Sequence, residues 1–213
     1  MELCRKPVKK FFFKDHVFYV LENVYEPAED TFLFAENLHV NKDDFVLDMG
    51  TGCGILGVLA AKKARSVIAV DINPHAVCCT KMNAKLNRVE RKVNILQGDL
   101  FQPIREGEKF DVILFNPPYL PSEKEEQKTW VEKAWAGGPD GRELINKFLL
   151  KASKYLKVNG RILLVQSTIS NVERTMQTLE KAGLHAKVVA EEKVAFETIV
   201  VIEARIEKRK RSI

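Results

Sequence analysis

Along the chain, short runs of consecutive apolar residues alternate with segments in which apolar residues recur every three or four positions. Phe45-Val46-Leu47-Asp48-Met49 is apolar on both alternating faces and stops at Gly50, the pattern of a strand covered from both sides. Ile55 to Lys63 then shows helical spacing. Ser66 to Asp71 predicts the next strand, and Pro74 opens a helix in its first turn, where a missing N–H costs nothing. Lys92 to Leu96 and Phe110 to Phe115 predict a third and a fourth strand, the latter stopped abruptly by Asn116-Pro117-Pro118. Arg142 to Leu156 predicts a helix closed by Asn159-Gly160, and Arg161 to Val165 a fifth strand. Ile169 to Ala182 predicts a helix that ends at Gly183. Ala186–Ala190 and Phe196–Ala204 predict a closing hairpin. Apolar strands alternating with helices predict an α/β fold: a seven-stranded, mostly parallel sheet with helices on both faces and a C-terminal antiparallel β-hairpin. Residues 1–40 form an N-terminal extension with a short strand and helix, 41–204 the α/β domain, and 205–213 a basic tail.

Composition narrows the class. The 213 residues suit one domain with a large core, and 46% hydrophobic with 30% charged residues excludes a disordered chain. No apolar run reaches the roughly 18 residues of a membrane helix. The N-terminus lacks a secretory h-region because Lys6, Lys9, Lys10, Lys14 and Asp15 interrupt it. The cysteines, Cys4, Cys53, Cys78 and Cys79, form no CxxC pair, so neither a disulfide scaffold nor a zinc site is expected. His16, His39, His75 and His185 are scattered, so no metal is expected. A soluble cytoplasmic protein follows. The net charge of +5 sits at the two ends: Arg5, Lys6, Lys9, Lys10 and Lys14 at one, and Arg205, Lys208, Arg209, Lys210 and Arg211 at the other. The body between them is acidic on balance. Such ends serve either solubility or contact with nucleic acid.

In doubly wound sheets, ligands bind at the carboxyl ends of the strands. Asp48, Asp71, Asp99 and Asn116 all fall at or just after predicted strand ends. Asp48-Met49-Gly50-Thr51-Gly52-Cys53-Gly54 joins the first strand to its helix, and its glycines let a ligand approach the backbone. Gly52 to Gly57 also satisfies the dinucleotide GxGxxG spacing. Charge separates the ligands: a carboxylate at Asp48 repels a pyrophosphate and suits a cation that carries an amino group. Asp71, 21 residues after Gly50, is placed to accept both hydroxyls of a ribose, a role common to nicotinamide and S-adenosylmethionine (SAM) enzymes. Asp99 either accepts an adenine amine, with the Leu100 N–H on a ring nitrogen, or caps its turn.

Asn116-Pro117-Pro118-Tyr119 is a rigid corner, because two prolines fix φ and supply no N–H. The Asn116 side-chain oxygen and the Pro117 carbonyl can each accept one hydrogen of a planar NH₂ group. That grip turns the nitrogen's out-of-plane direction toward a methyl donor, and Tyr119 offers an aromatic face beside it. An amide nitrogen is a poor nucleophile because its lone pair is delocalised. Acceptors on its hydrogens raise its electron density as charge develops.

These segments resemble class I SAM-dependent methyltransferases that carry an NPPY motif, a Rossmann-like family. Val24-Tyr25-Glu26-Pro27-Ala28-Glu29-Asp30-Thr31-Phe32 and Ala134-Trp135-Ala136-Gly137-Gly138-Pro139-Asp140-Gly141-Arg142-Glu143 resemble its archaeal and eukaryotic HemK-related branch, whose members methylate the glutamine side-chain amide in the Gly-Gly-Gln motif of class I release factors. Fewer than 45 residues precede the first predicted strand, which also favours that branch. The resemblance implies SAM as cofactor. Thr31 falls near its amino-acid end, Asp48, Gly50 and Gly52 along its methionine, Asp71 at the ribose, and Asp99 with Leu100 at the adenine. Asn116 borders both ligands and, with Pro117 and Tyr119, holds the acceptor. The resemblance also implies a class I release factor as substrate and a small zinc-binding activator protein. Phe11-Phe12-Phe13 and Val17 to Val20 either receive such a partner by strand addition or pack on their own domain. Residues 120–141, with Trp130 and Trp135, are expected to form a mobile lid, or Trp135 joins the core. The same corner also suits N6-adenine methylation of DNA or RNA and, less well, lysine methylation; a SAM-binding module without catalysis has no use for an NH₂ clamp.

Overall fold

In the computed structural model, residues 7–123 and 128–206 are described. The basic segments 1–6 and 207–213, with most of the predicted tail, lie outside them. An antiparallel hairpin comes first, β1 (Pro7–Phe13) and β2 (His16–Leu21), then α1 (Glu29–Glu36). The α/β body follows: β3 (Phe45–Met49), α2 (Ile55–Lys63), β4 (Ser66–Asp71), α3 (Pro74–Leu86), β5 (Val93–Gln97), β6 (Phe110–Phe115), α4 (Trp130–Trp135), α5 (Glu143–Ala152), β7 (Leu156–Ser167), α6 (Val172–Lys181), β8 (Leu184–Val194) and β9 (Glu197–Ile206). The last seven strands form one sheet in the order β5-β4-β3-β6-β7-β9-β8. β5, β4, β3, β6 and β7 run parallel, and β9 is antiparallel to both β7 and β8. This is the expected sheet with its closing hairpin. The switch point lies between β3 and β6, so the ends of those two strands open the crevice.

The sheet separates two apolar layers, as continuous apolar strands require. Val46, Val67, Ala69, Val112 and Leu114 face α1–α3 on one side. Leu47, Met49, Ile113, Phe115 and Ile162 face α5 and α6 on the other, where Phe148 stacks on Phe115 with ring centroids 4.2 Å apart. A buried ion pair between Arg161 and Asp44, 3.1 Å apart, ties the start of β3 to β7.

Three expectations change. The helix predicted to reach Leu156 ends at Ala152, and Asn159-Gly160 is not its stop but part of β7. There the β6–β7 register shifts and Asn159 adopts φ 67°. A Cβ on Gly160 would stand 2.9 Å from the Phe110 carbonyl, so turn-type residues serve a close strand crossing instead. The helix predicted from Ile169 starts at Val172, where the Asn171 side chain accepts the Arg174 N–H. The N-terminal phenylalanines pair with β2 within the chain. The other edge of β2 is covered by side chains of α3. Asn83 Oδ1 accepts from Tyr19 N at 2.9 Å, its Nδ2 donates to Tyr19 O at 2.7 Å, and Asn87 Nδ2 donates to Val17 O at 2.8 Å. The second edge of β2 is thus covered and β2 packs on its own domain, while among the described strands the outer edge of β1 pairs with none. Of the cysteines, Cys53 and Cys79 are free and buried, whereas Cys78 is in a disulfide, which the sequence reading did not expect. Among the described residues no helix is long and apolar enough to cross a membrane, and no cluster of three or more ligating side chains could hold a metal.

Candidate active site

The crevice at the switch point holds a cavity of about 360 Å³. Its walls come from six places far apart in the sequence: Tyr25 to Thr31, the glycine-rich loop after β3, Asp71 to Asn73 after β4, Gly98 to Leu100 after β5, the Asn116 corner after β6, and the α4–α5 segment. Thr31, Gly50, Gly52, Asp71, Asp99, Leu100, Asn116, Pro117 and Tyr119 all face it.

Asp48 is the exception. It is 1% exposed and stands behind the loop. Its Oδ2 accepts the Thr51 hydroxyl at 2.6 Å and the Gly57 N–H at 2.9 Å. Gly57 lies in the first turn of α2, whose N-cap residue, Gly54, has no side chain to offer. A carboxylate from the preceding strand therefore caps this helix. Gly57 must lack a side chain, because a Cβ would meet Asp48 Oδ2 at 2.7 Å. Burial raises the Asp48 carboxyl to about 6, the Thr51 and Gly57 hydrogen bonds oppose the rise, and the Asp71 charge adds to it.

Asp71 ends β4 and reaches back to the loop. Its Oδ2 accepts Gly52 N–H at 2.8 Å and its Oδ1 accepts Asn73 N–H at 2.9 Å. Burial pushes this carboxyl up as well, against those backbone hydrogen bonds. Both oxygens keep spare lone pairs toward the cavity, which suits a vicinal diol. Ile72, half exposed, lies beside it as an apolar floor. On the far side, Leu100 holds φ 47°, the left-handed conformation that closes the Asp99 turn.

At the Asn116 corner, Asn116 Nδ2 donates to Asp30 Oδ2 at 3.2 Å and to Thr31 Oγ1 at 3.1 Å. Tyr119 is buried, and its phenol is held well above its usual range by burial first and by the Asp30 charge next, so it remains a donor. Among the described residues, no histidine or lysine is hydrogen-bonded to Asn116. Burial likewise pushes the Cys53 thiol far up, so it is no nucleophile.

The segment after Tyr119 folds over the opening. Leu120 bridges to Ala136, and Thr129 opens α4 through a capping box with Glu132. Trp130, Lys133 and Trp135 face the cavity, so Trp135 belongs to its wall. Residues 124–127 of the expected lid are outside the described part. Gly141 locks this segment to the corner: a Cβ there would come 2.2 Å from the Tyr119 carbonyl oxygen. Arg142, 1% exposed, donates to the carbonyls of Ser170 and Asn171 at 2.5 and 2.7 Å, which fixes the segment to the turn before α6.

Sequence reasoning overlooked Asp30, Ile72, Lys133 and Lys147 as wall residues. Ile72 was available as the residue after a strand-end carboxylate. Lys133 and Lys147 had no local signal, because only the fold brings α4 and α5 to the opening.

The chain is similar to known proteins over most of its length. Residues 25–196 match the methyltransferase small domain family. A Methanocaldococcus jannaschii protein with the provisional name protein N5-glutamine methyltransferase MJ0928 is 43% identical over 183 residues, covering 85% of this chain and 91% of its own. The human methyltransferase HEMK2 is 31% identical over 192 residues, with 85% and 89% coverage. The solved E. cuniculi Mtq2–Trm112 complex, described as responsible for methylating the eRF1 translation termination factor, superposes with TM-score 0.66 at 25% identity, covering 87% of this chain and 99% of that one. The M. jannaschii TYW2 structure in complex with AdoMet shares the fold, with TM-score 0.64 at 18% identity over 96% of this chain and 88% of that one. The chain therefore belongs to the methyltransferase small domain family, and within it to the HemK methyltransferases.

Proposed function

We propose that this protein is a SAM-dependent protein-glutamine N-methyltransferase whose acceptor is the glutamine of the Gly-Gly-Gln motif in a class I release factor. The observation that carries this reading is that the Asn-Pro-Pro-Tyr corner opens on the same cavity as the carboxylates after β4 and β5. The residues present fit the cofactor: Asp71 for its ribose, Asp99 and Leu100 for its adenine, and Gly50 and Gly52 for close backbone approach. Thr31 and Asn116 border its amino-acid end, and Asp48 supplies charge from behind the loop. SAM, when bound, supplies the electrophilic methyl group.

The chain's own residues orient the acceptor. Asn116 Oδ1 and the Pro117 carbonyl accept the two amide hydrogens, which fixes the plane of the amide and excludes water from its nitrogen. Tyr119 and the α4 tryptophans enclose its planar group. The reading is supported by the HEMK2 and Mtq2 relatives, and the Mtq2–Trm112 complex supports a small activator protein as partner. We propose that this activator binds zinc, as the resemblance to the HemK-related branch implies. A cytoplasmic location fits a translation-factor substrate.

The test is transfer of labelled methyl from SAM, with and without the activator. The acceptors are a class I release factor, its Gly-Gly-Ala variant and double-stranded DNA. Label on the intact factor alone is expected. Label on DNA with none on the factor would replace the substrate with an adenine.

The buried Asp48 predicts a pH dependence. Its folded-state carboxyl, at about 6, lies above the unfolded value, so the native state holds the extra proton between about pH 4 and 6. Stability from this group is complete below that window and declines as pH rises through it. A cationic ligand favours the ionised form, so SAM affinity moves the opposite way. Calorimetry is expected to show SAM binding about tenfold weaker at about pH 5 than at about pH 7.5. Asp48→Asn should flatten that slope.

A further inference from the structure

Asp30 has no role among the contacts assigned above, yet it is 5% exposed at the junction of both ligand regions. Its two oxygens are divided. Oδ1 accepts the Thr31 backbone N–H and, at 3.0 Å, the Thr31 hydroxyl. Oδ2 accepts from Asn116 Nδ2 at 3.2 Å. The Thr31 hydroxyl, with its proton committed to Asp30, accepts from the same Asn116 nitrogen at 3.1 Å.

A primary amide has a donor pole and an acceptor pole, and both hydrogens of Asn116 are taken by the start of α1. Turned end for end, the amide would place its oxygen against a carboxylate oxygen in a buried site, and only by taking the Thr31 hydroxyl proton from Asp30 could it find a donor. The corner works only with the oxygen pole toward the acceptor, because an NH₂ pole there would face the NH₂ of the substrate. We infer that Asp30 and Thr31 are positioning residues that lock the Asn116 amide in its catalytically useful orientation. The inference rests on the reading of Asn116 as the amide clamp. It gives Thr31 a second task beside the cofactor: holding the clamp from behind. The Asp30 charge also acts on the Tyr119 phenol and helps to keep it protonated.

The experiment uses the full chain with its activator and two readouts. Hydrogen exchange of the Asn116 side-chain amide, followed by ¹⁵N NMR and assigned with Asn116→Asp, reports the lock without any acceptor. Thr31→Val, isosteric but without the hydroxyl, and Asp30→Asn are each expected to speed that exchange about tenfold, the equivalent of one hydrogen bond. In methyl transfer to the release factor both variants should lose about 100-fold in kcat, while the SAM affinity of Asp30→Asn stays within about threefold. Thr31→Ser, which restores the hydroxyl, should recover most of the rate. Unchanged amide exchange overturns the inference, and so does turnover retained in both variants. A loss of SAM affinity in proportion to turnover in Asp30→Asn overturns it too, because Asp30 would then be a cofactor contact. If the wild-type protein does not label the release factor, the substrate reading fails alone, and the exchange measurement still decides the lock.

Discussion

Asn116→Ala is expected to lower the rate of methyl transfer about 1,000-fold while SAM affinity changes by no more than about threefold. The asymmetry follows from where the side chain sits. Its nitrogen is spent on Asp30 and Thr31, so truncation removes from the cavity only one acceptor, the oxygen that faces the substrate. The cofactor keeps Asp71, Asp99 and the glycine-rich loop. The acceptor amide loses one of the two groups that hold its hydrogens, and its nitrogen becomes both less electron-rich and less well aimed. Single-turnover transfer beside calorimetric SAM titration separates these effects. A fall in affinity that matches the fall in rate would make Asn116 a cofactor residue and remove the clamp from the mechanism.

Gly141→Ala is the second large effect, and it acts on the frame. Gly141 has φ 70°, and a Cβ there meets the Tyr119 carbonyl oxygen at 2.2 Å and Ser170 Cβ at 3.0 Å. The backbone cannot yield on either side, because Tyr119 belongs to the proline corner and the next residue, Arg142, is buried and tied to Ser170 and Asn171. Left-handed strain and overpacking together are expected to cost roughly 2–4 kcal/mol of stability, read from denaturant unfolding. Because the displaced atom is in Tyr119, turnover should fall further than stability alone explains at temperatures where the variant is folded. A stable variant with normal turnover would show that the α4–α5 segment does not set the corner.

The parts of this architecture that were legible in the sequence are those in which local pattern and burial agree. β3, β4 and β6 are covered on both faces, so their apolar runs were unambiguous, and Pro74 and Gly183 mark real helix ends because nothing tertiary opposes them. Asn159-Gly160 failed for the opposite reason. The pair has the chemistry of a turn, but the need is a close crossing with β6, which only the paired strand reveals. The carboxylates after β4 and β5 and the Asn116 corner were found because they punctuate strands. Asp48 was found for its charge and not for its direction, since the hydrogen bond to Gly57 depends on how α2 packs. Asp30 was within a recognised segment, but its partner is 86 residues away, and no local pattern links the two.

The α3 residue Asn83 has a consequence beyond covering a strand edge. Its side-chain nitrogen also donates to the Cys53 carbonyl in the glycine-rich loop at 2.8 Å, so one fully buried amide joins the outer hairpin to the loop. Such a shared side chain couples the stability of the two segments. The hairpin cannot fray from α3 without leaving the buried Asn83 amide short of both its Tyr19 partners. Ordering of the loop by a ligand is therefore expected to protect β2 as well, through the Asn83 side chain.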